Sequence, residues 1–131
     1  MKVLLDTHAW LWMMFEPQRI GSETRRLVAD PSNAFYLSVA SGWELAVKHA
    51  AGRLILPEPP LSYIRSRTRV DGISMLAVSL EHVCKAAALP RHHADPFDRL
   101  LVAQAELEQL VLLTHDHHIP AYGIKTLDPV Q

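Results

Sequence analysis

Apolar positions along this chain follow two patterns, short unbroken runs and longer stretches with helical spacing, and the two alternate from one end to the other. Lys2-Val3-Leu4-Leu5-Asp6-Thr7 opens the series. Its apolar residues are continuous rather than alternating, as expected of a strand covered on both faces. From Asp6 to Trp12 the pattern turns helical, and Trp10, Met13 and Met14 recur at a spacing that reads as core packing. A second helix is expected from about Gly21 to Asp30, with Ser22 as its N-cap and Pro31 as its stop. Ala34 to Ser38 reads as the second strand, and a helix from about Val39 to Ala51 ends at Gly52. The stretch Leu56-Pro57-Glu58-Pro59-Pro60 is a rigid connector, since neither side of it is long enough to stand alone.

The alternation continues with a helix from about Leu61 to Val70, a third strand from Ile73 to Val78, and a helix from about Leu80 to Ala88. A loop around Pro90 leads to a helix from about Pro96 to Gln109 and a fourth strand, Leu110 to Leu113. The residues Ile124 to Leu127 add a short last strand. Strands alternating with helices predict an α/β fold of three layers, α/β/α, around a mostly parallel sheet of four to five strands with right-handed crossovers. One domain over residues 1–131 accommodates it.

Composition narrows the function classes. A hydrophobic content of 49% supplies a sizeable core, while 13 basic against 14 acidic residues exclude the global basicity of a non-specific nucleic-acid binder. Any nucleic-acid contact must be local. Cys84 is the one cysteine, so no internal disulfide framework exists and a reducing cytoplasm is the expected setting. The apolar start is broken by Asp6 and His8 without a cleavage-site pattern, and no uninterrupted apolar run is long enough to span a bilayer. A soluble protein without membrane attachment is expected.

The chemistry lies in four acids at element ends or on apolar faces. Asp6 follows a buried strand, and ligand sites of open α/β sheets lie outside the carboxyl ends of the strands. Glu44 shares a helix with an apolar stripe of Ala40, Trp43, Val47 and Ala51 and falls on that stripe, where a carboxylate is costly unless paired or bound to a cation. Lys48, four residues on, is its simplest partner. In Asp95-Pro96-Phe97-Asp98, Asp95 is placed as an N-cap, Pro96 suits the first helical position, and Asp98 stands where a capping-box acid would. Leu101 and Ala105 put Asp98 on the core-facing stripe, pointing to the edge where Asp6 lies. Asp116 follows the fourth strand through Thr114 and His115 and repeats the placement of Asp6. Four like charges at one sheet edge repel unless a cation neutralises them. Oxygen ligands without Cys suit Mg²⁺ or Mn²⁺ and phosphodiester hydrolysis, with the acids as ligands rather than covalent nucleophiles.

Rival chemistries fit the spacing less well. His92-His93 and His115-Asp116-His117-His118 suggest a zinc hydrolase, but adjacent histidines point in different directions and no His-Glu-x-x-His motif is present. Receiver domains would need an acid where Val78-Ser79 stands, and haloacid-dehalogenase-type phosphatases an Asp-x-Asp where Asp6-Thr7-His8 stands. A non-catalytic interaction module, in which the acids bind no metal, is the remaining alternative. Arg65-Ser66-Arg67-Thr68-Arg69 is the one dense basic run; it is either a solvated helix face or a set of phosphate contacts, with Arg65 and Arg69 one turn apart.

Leu4-Leu5-Asp6-Thr7, Ser41-Gly42-Trp43-Glu44-Leu45-Ala46-Val47-Lys48, the run from Asp95 to Ala105, and Leu112-Leu113-Thr114-His115-Asp116 together resemble the signatures of PIN-domain ribonucleases, specifically VapC-type toxins of toxin–antitoxin modules. The resemblance spans nearly the whole chain and is carried by the order and spacing of its motifs. It implies a three-layer α/β/α fold, Mg²⁺-dependent endoribonuclease activity on RNA, a homodimer, and inhibition by a small cognate antitoxin of the VapB type. Carried over onto this sequence, Asp6, Glu44, Asp98 and Asp116 are the catalytic, metal-binding acids. Asp95 is an additional acid, Thr7 and Thr114 are supporting hydroxyls, and His115 and His117 stand where the family often has basic residues.

Overall fold

The unbroken apolar runs form a parallel sheet whose two faces both need cover, and the amphipathic stretches between them supply it. The computed structural model describes residues 1–131. In chain order the elements are β1 (Lys2–Leu5), α1 (Thr7–Phe15), α2 (Ser22–Ala29), β2 (Ala34–Ser38), α3 (Val39–Ala50), α4 (Pro60–Asp71), β3 (Ser74–Leu76), α5 (Leu80–Ala88), α6 (Pro96–Glu108), β4 (Val111–Leu113) and β5 (Thr126–Leu127). The strands are ordered β3-β2-β1-β4-β5, and every pair is parallel. The chain leaves β1 toward β2 and β3, then returns to the other side of β1 for β4. The crevice between β1 and β4 is thus the point where strand order reverses, the usual ligand position of such sheets.

Successive residues of β1 face opposite layers. Val3 and Leu5 pack with Trp10, Leu37, Leu45 and Ile64, whereas Leu4 packs with Leu101, Val102, Leu112 and Ile119. These two cores make the fold a three-layer α/β/α sandwich. Each fully buried side chain of this kind stabilises the fold by roughly 1.5–3 kcal/mol. No helix is long and apolar enough to cross a membrane.

Most predicted elements are present to within a residue or two, and four details differ. Ser22 lies inside the first turn of α2, and Gly21 is the N-cap residue instead. A Cβ at Gly21 would fall 2.2 Å from the backbone of Gln131, so only glycine fits that position. The third strand is shorter than expected; Ala77 gives its carbonyl to the Gln104 side chain (3.2 Å) instead of to a neighbouring strand. The fourth strand starts one residue late, after Gln109 closes α6 in a left-handed conformation (φ 56°). The buried face of α3 also differs from the apolar stripe expected of it. Trp43 is 66% exposed and Val47 is exposed, while Ala40, Ser41, Glu44 and Leu45 are buried. Ser41 can occupy that inner face because the Thr7 hydroxyl donates to it (2.8 Å), so a paired polar residue stands where counting apolar residues favours Trp43.

Candidate active site

Register brings the acids together. Leu5 is level with Leu37 on one side and Leu113 on the other, so Asp6, Ser38 and Thr114 are the next residues at one sheet edge. Asp6 is still held by the sheet, its N–H donating to Leu113 O (3.0 Å). Its side chain is buried, and the Thr114 hydroxyl donates to Oδ2 (2.8 Å). Oδ1 is buried with no hydrogen-bond partner. Burial pushes the Asp6 pKa above the ordinary carboxylate range; the Thr114 hydroxyl and His8 oppose the shift, and the charge of Glu44 adds to it.

The other acids arrive from three elements. Glu44 lies on the buried face of α3 and pairs with Lys48 (3.1 Å), the expected partner one turn on. Asp98, in the first turn of α6, has a side chain only 15% exposed. Burial, then the charges of Asp6 and Asp95, push its pKa up to about 7, with Glu44 adding and His93 opposing. Asp116 lies in the loop after β4, where its N–H donates to Thr114 Oγ1 (3.1 Å). Its Oδ1 accepts from the His118 N–H (2.8 Å), and its Oδ2 contacts His93 Nε2 at 2.6 Å. Burial alone would raise the Asp116 pKa, but the hydrogen bonds from the His118 N–H, from His93 and from the His118 ring hold it below the ordinary range.

A continuous chain of contacts therefore runs Asp6–Thr114–Asp116–His93–Asp98, with Glu44 close enough to act on both Asp6 and Asp98 by its charge. Asp95 stays at the edge as an N-cap, accepting from the Phe97 N–H (2.8 Å). The expected capping box does not close there. The Asp95 N–H donates to His93 Nδ1 (3.0 Å), and the Asp98 carboxylate turns to His93 Nε2 (3.1 Å). Thr7 also departs from its expected place, since its hydroxyl ties α1 to α3 through Ser41 and does not join the acids.

His93 is the residue that sequence reasoning left out of the acidic cluster. It is 23 positions from Asp116, and the one available signal, the density of histidine around both, suggested zinc instead. Ligand atoms of His93, Asp116 and His118 do lie within 4.8 Å of one another. Burial would lower the His93 pKa, but the Asp116 hydrogen bond and the charges of Asp98, Asp116 and Asp95 outweigh it and raise the value.

The donor set at the sheet edge is carboxylate oxygen, and the unpartnered Oδ1 of Asp6 is an acceptor that a cation would satisfy. The residues present fit a hard divalent ion. Residues 3–125 match the family model for the PIN domain.

The chain belongs to the PIN domain family.

Among relatives of this PIN domain, Ribonuclease VapC16 of Mycobacterium tuberculosis is 42% identical over 67 residues, covering 51% of this chain and 48% of that protein. That match thus spans about half of the relative's length. Ribonuclease VapC22 of the same organism is 27% identical over 121 residues, covering 92% of this chain and 91% of its own. Among solved structures, VapBC2 from Rickettsia felis bound to a DNA fragment from their promoter superposes with a TM-score of 0.73 at 12% identity over 98% of both chains. VapBC-1 from nontypeable Haemophilus influenzae gives a TM-score of 0.69 at 18% identity over 100% of both. At these identities the likeness is one of fold.

The basic run of the PIN domain lies apart from the acids, on α4. Arg65 and Arg69 line a cleft of about 450 Å³ with Pro59, Leu61, Ser62 and Ser66. Arg67 faces elsewhere and pairs with Asp71 (3.1 Å).

Proposed function

We propose that residues 1–131 form one PIN nuclease domain, a Mg²⁺-dependent endoribonuclease in which Asp6, Glu44, Asp98 and Asp116 hold the metal, with Mn²⁺ as a substitute. The observation that carries the reading is Asp6 Oδ1, a buried carboxylate oxygen with no partner beside an Asp98 whose pKa is pushed to about 7. Both are the marks of an anionic cluster arranged around a cation. When bound, the ion supplies charge neutralisation and polarisation of the phosphoryl oxygens. Thr114 keeps the Asp6 carboxylate in one orientation, and the sheet fixes the Asp6 backbone, so the site is held ready before substrate arrives. Hydrolysis adds one water across a P–O bond: the water oxygen bonds to phosphorus, and the sugar oxygen leaves with a proton. Two relatives whose names are those of ribonucleases support RNA as the substrate class.

The same reading makes the chain the toxin of a toxin–antitoxin pair, held inactive in the cytoplasm by a VapB-like antitoxin; neighbouring folds solved as VapBC complexes support it. An exposed apolar stripe on α3, Val39, Trp43 and Val47, supports a homodimer. Arg65 and Arg69 are free to meet RNA phosphates, whereas Arg67 is committed to Asp71. RNA cleavage assayed with Mg²⁺ and with EDTA tests the proposal. Cleavage should need the metal, and Asp6→Asn should lower the rate by on the order of 100-fold or more, the several kcal/mol that metal charge stabilisation supplies. Full activity in EDTA, or a near-wild-type Asp6→Asn, would sink it.

A further inference from the structure

The loop between α5 and α6 is fastened more firmly than a connector requires. The Arg99 guanidinium, on α6, reaches back to Ala86 O in the last turn of α5 (2.9 Å) and to three carbonyls of the loop, Leu89 (2.9 Å), Pro90 (3.0 Å) and His93 (3.4 Å). The His93 N–H donates to the Tyr122 hydroxyl (2.9 Å), which fixes the backbone at the point where the ring departs. What this scaffold presents to the acidic site is a single imidazole.

The tautomer of the neutral ring is dictated by the main chain. An amide N–H can only donate, and the Asp95 N–H points at His93 Nδ1 (3.0 Å), so Nδ1 must be the acceptor and Nε2 must carry the hydrogen. Nε2 lies 2.6 Å from Asp116 Oδ2 and 3.1 Å from Asp98 Oδ2. The ring therefore aims an N–H, not a lone pair, between two carboxylates that come from different elements and would otherwise repel. An imidazole in this tautomer cannot serve as a metal ligand through Nε2, although it lies within ligand distance of Asp116 and His118.

We propose that His93 is a positioning residue of the acidic site, a main-chain-locked Nε2–H donor that holds the Oδ2 atoms of Asp98 and Asp116 in the orientation with which these carboxylates bind a divalent cation. This rests on the reading of the four acids as cation ligands. Hydrogen bonds to ligating carboxylates of this kind are worth about 10- to 100-fold in metal affinity. Arg99 and the Asp95 N–H act through His93, the first by fixing its loop and the second by fixing its tautomer.

Mn²⁺ binding to the full chain, followed by the electron paramagnetic resonance of the free ion, tests this in wild type, His93→Ala and His93→Gln. His93→Ala removes the donor and should weaken Mn²⁺ binding by on the order of 10- to 100-fold. His93→Gln keeps an N–H at the position of Nε2 and should recover most of the affinity. Ring ¹⁵N resonances of the metal-free wild type, recorded at a pH above the raised pKa of the ring, should show Nε2 protonated and Nδ1 bare. This spectrum stands whether or not His93→Ala folds. Wild-type affinity in His93→Ala, a loss in His93→Gln as large as in a folded His93→Ala, or a proton on Nδ1 in place of Nε2 would overturn the role of His93 while leaving the four acids as ligands. Absence of Mn²⁺ binding in wild type would instead overturn the acidic site, and this role with it.

Discussion

Asp6 and Asp116 each follow an apolar strand, β1 and β4, and lie on the same sheet edge, yet one is starved of partners and the other has three. Asp6 comes directly after Leu5, so its carboxylate sits beneath the helical layers, with a single donor at Oδ2 and none at Oδ1. Asp116 comes three residues after Leu113, out in a loop where the His118 N–H, the His118 ring and His93 all reach it. Two residues of added distance from the strand convert a buried, destabilised anion into a satisfied one. The pKa directions follow, raised at Asp6 and lowered at Asp116. On the proposed metal-binding role, the half of the site around Asp6 and Asp98 would gain from a cation, whereas Asp116 has its hydrogen-bond partners without one.

Substitutions by Asn break this comparison most sharply. Asp6→Asn, Asp98→Asn and Asp116→Asn should each remove RNA cleavage, by on the order of 100-fold or more, as measured by initial rates at saturating Mg²⁺. Their effects on the metal-free fold should then diverge. Asp116→Asn loses charge-assisted hydrogen bonds worth roughly 1.5–3 kcal/mol. Asp6→Asn and Asp98→Asn remove anions that burial disfavours, so their stability in urea should be unchanged or higher. Equal losses in all three would erase the distinction. Asp95→Ala, at the margin of the site, removes only the cap on Phe97 N–H and should cost roughly 0.5–2 kcal/mol, with a smaller drop in activity.

The smallest effects should come from α4. Arg65→Ala with Arg69→Ala should weaken RNA binding and reduce the salt slope by about 0.7 per lost contact on a single strand. Arg67→Ala should leave the slope unchanged, because its guanidinium is held by Asp71. A slope insensitive to Arg65 and Arg69 returns the whole run to a solvated helix face.

Strand and helix identities were legible because the apolar runs are bounded by sharp signals, among them Pro31, Gly52, Asp95 and Pro96. The convergence of Asp6 and Asp116 on one edge was legible too, since a parallel sheet sends every strand's carboxyl end to the same side, and Asp98 was legible from its place on the core-facing stripe of α6. The burial of Glu44 was anticipated, although the stripe used to infer it was misplaced; periodicity counts apolar residues and cannot see that Ser41 is satisfied by Thr7 across 34 positions. For the same reason Trp43, apolar and in phase, stands exposed instead of filling the core. His93 escaped notice because its role depends on a tautomer set by one backbone N–H and on a loop held by Arg99, neither of which leaves a periodic trace. Capping rules placed Asp95 correctly; for Asp98 the core-facing stripe was the better guide, since its carboxylate turns inward to His93 while the Asp95 N–H is taken by the Nδ1 of that ring.

Thermal melting between about pH 4 and pH 8, with and without Mg²⁺, reads the cation requirement directly. Asp98 has a pKa of about 7 in the folded chain against 3.8 for the unperturbed group, so the native state retains a proton that the unfolded chain has released. The stability this contributes is complete below about pH 4 and is lost as pH rises through about 7; Asp6 acts in the same direction, while Asp116, shifted the other way, loses its contribution only as pH falls through its lowered pKa. The metal-free melting temperature should therefore fall across this window. Mg²⁺ should restore it at the high-pH end, since a ligand that binds only the folded state raises the melting temperature, and should do so much less in Asp98→Asn. A melting temperature that rises with pH in the absence of metal, or an equal Mg²⁺ shift in wild type and Asp98→Asn, would contradict a carboxylate cluster built around a cation.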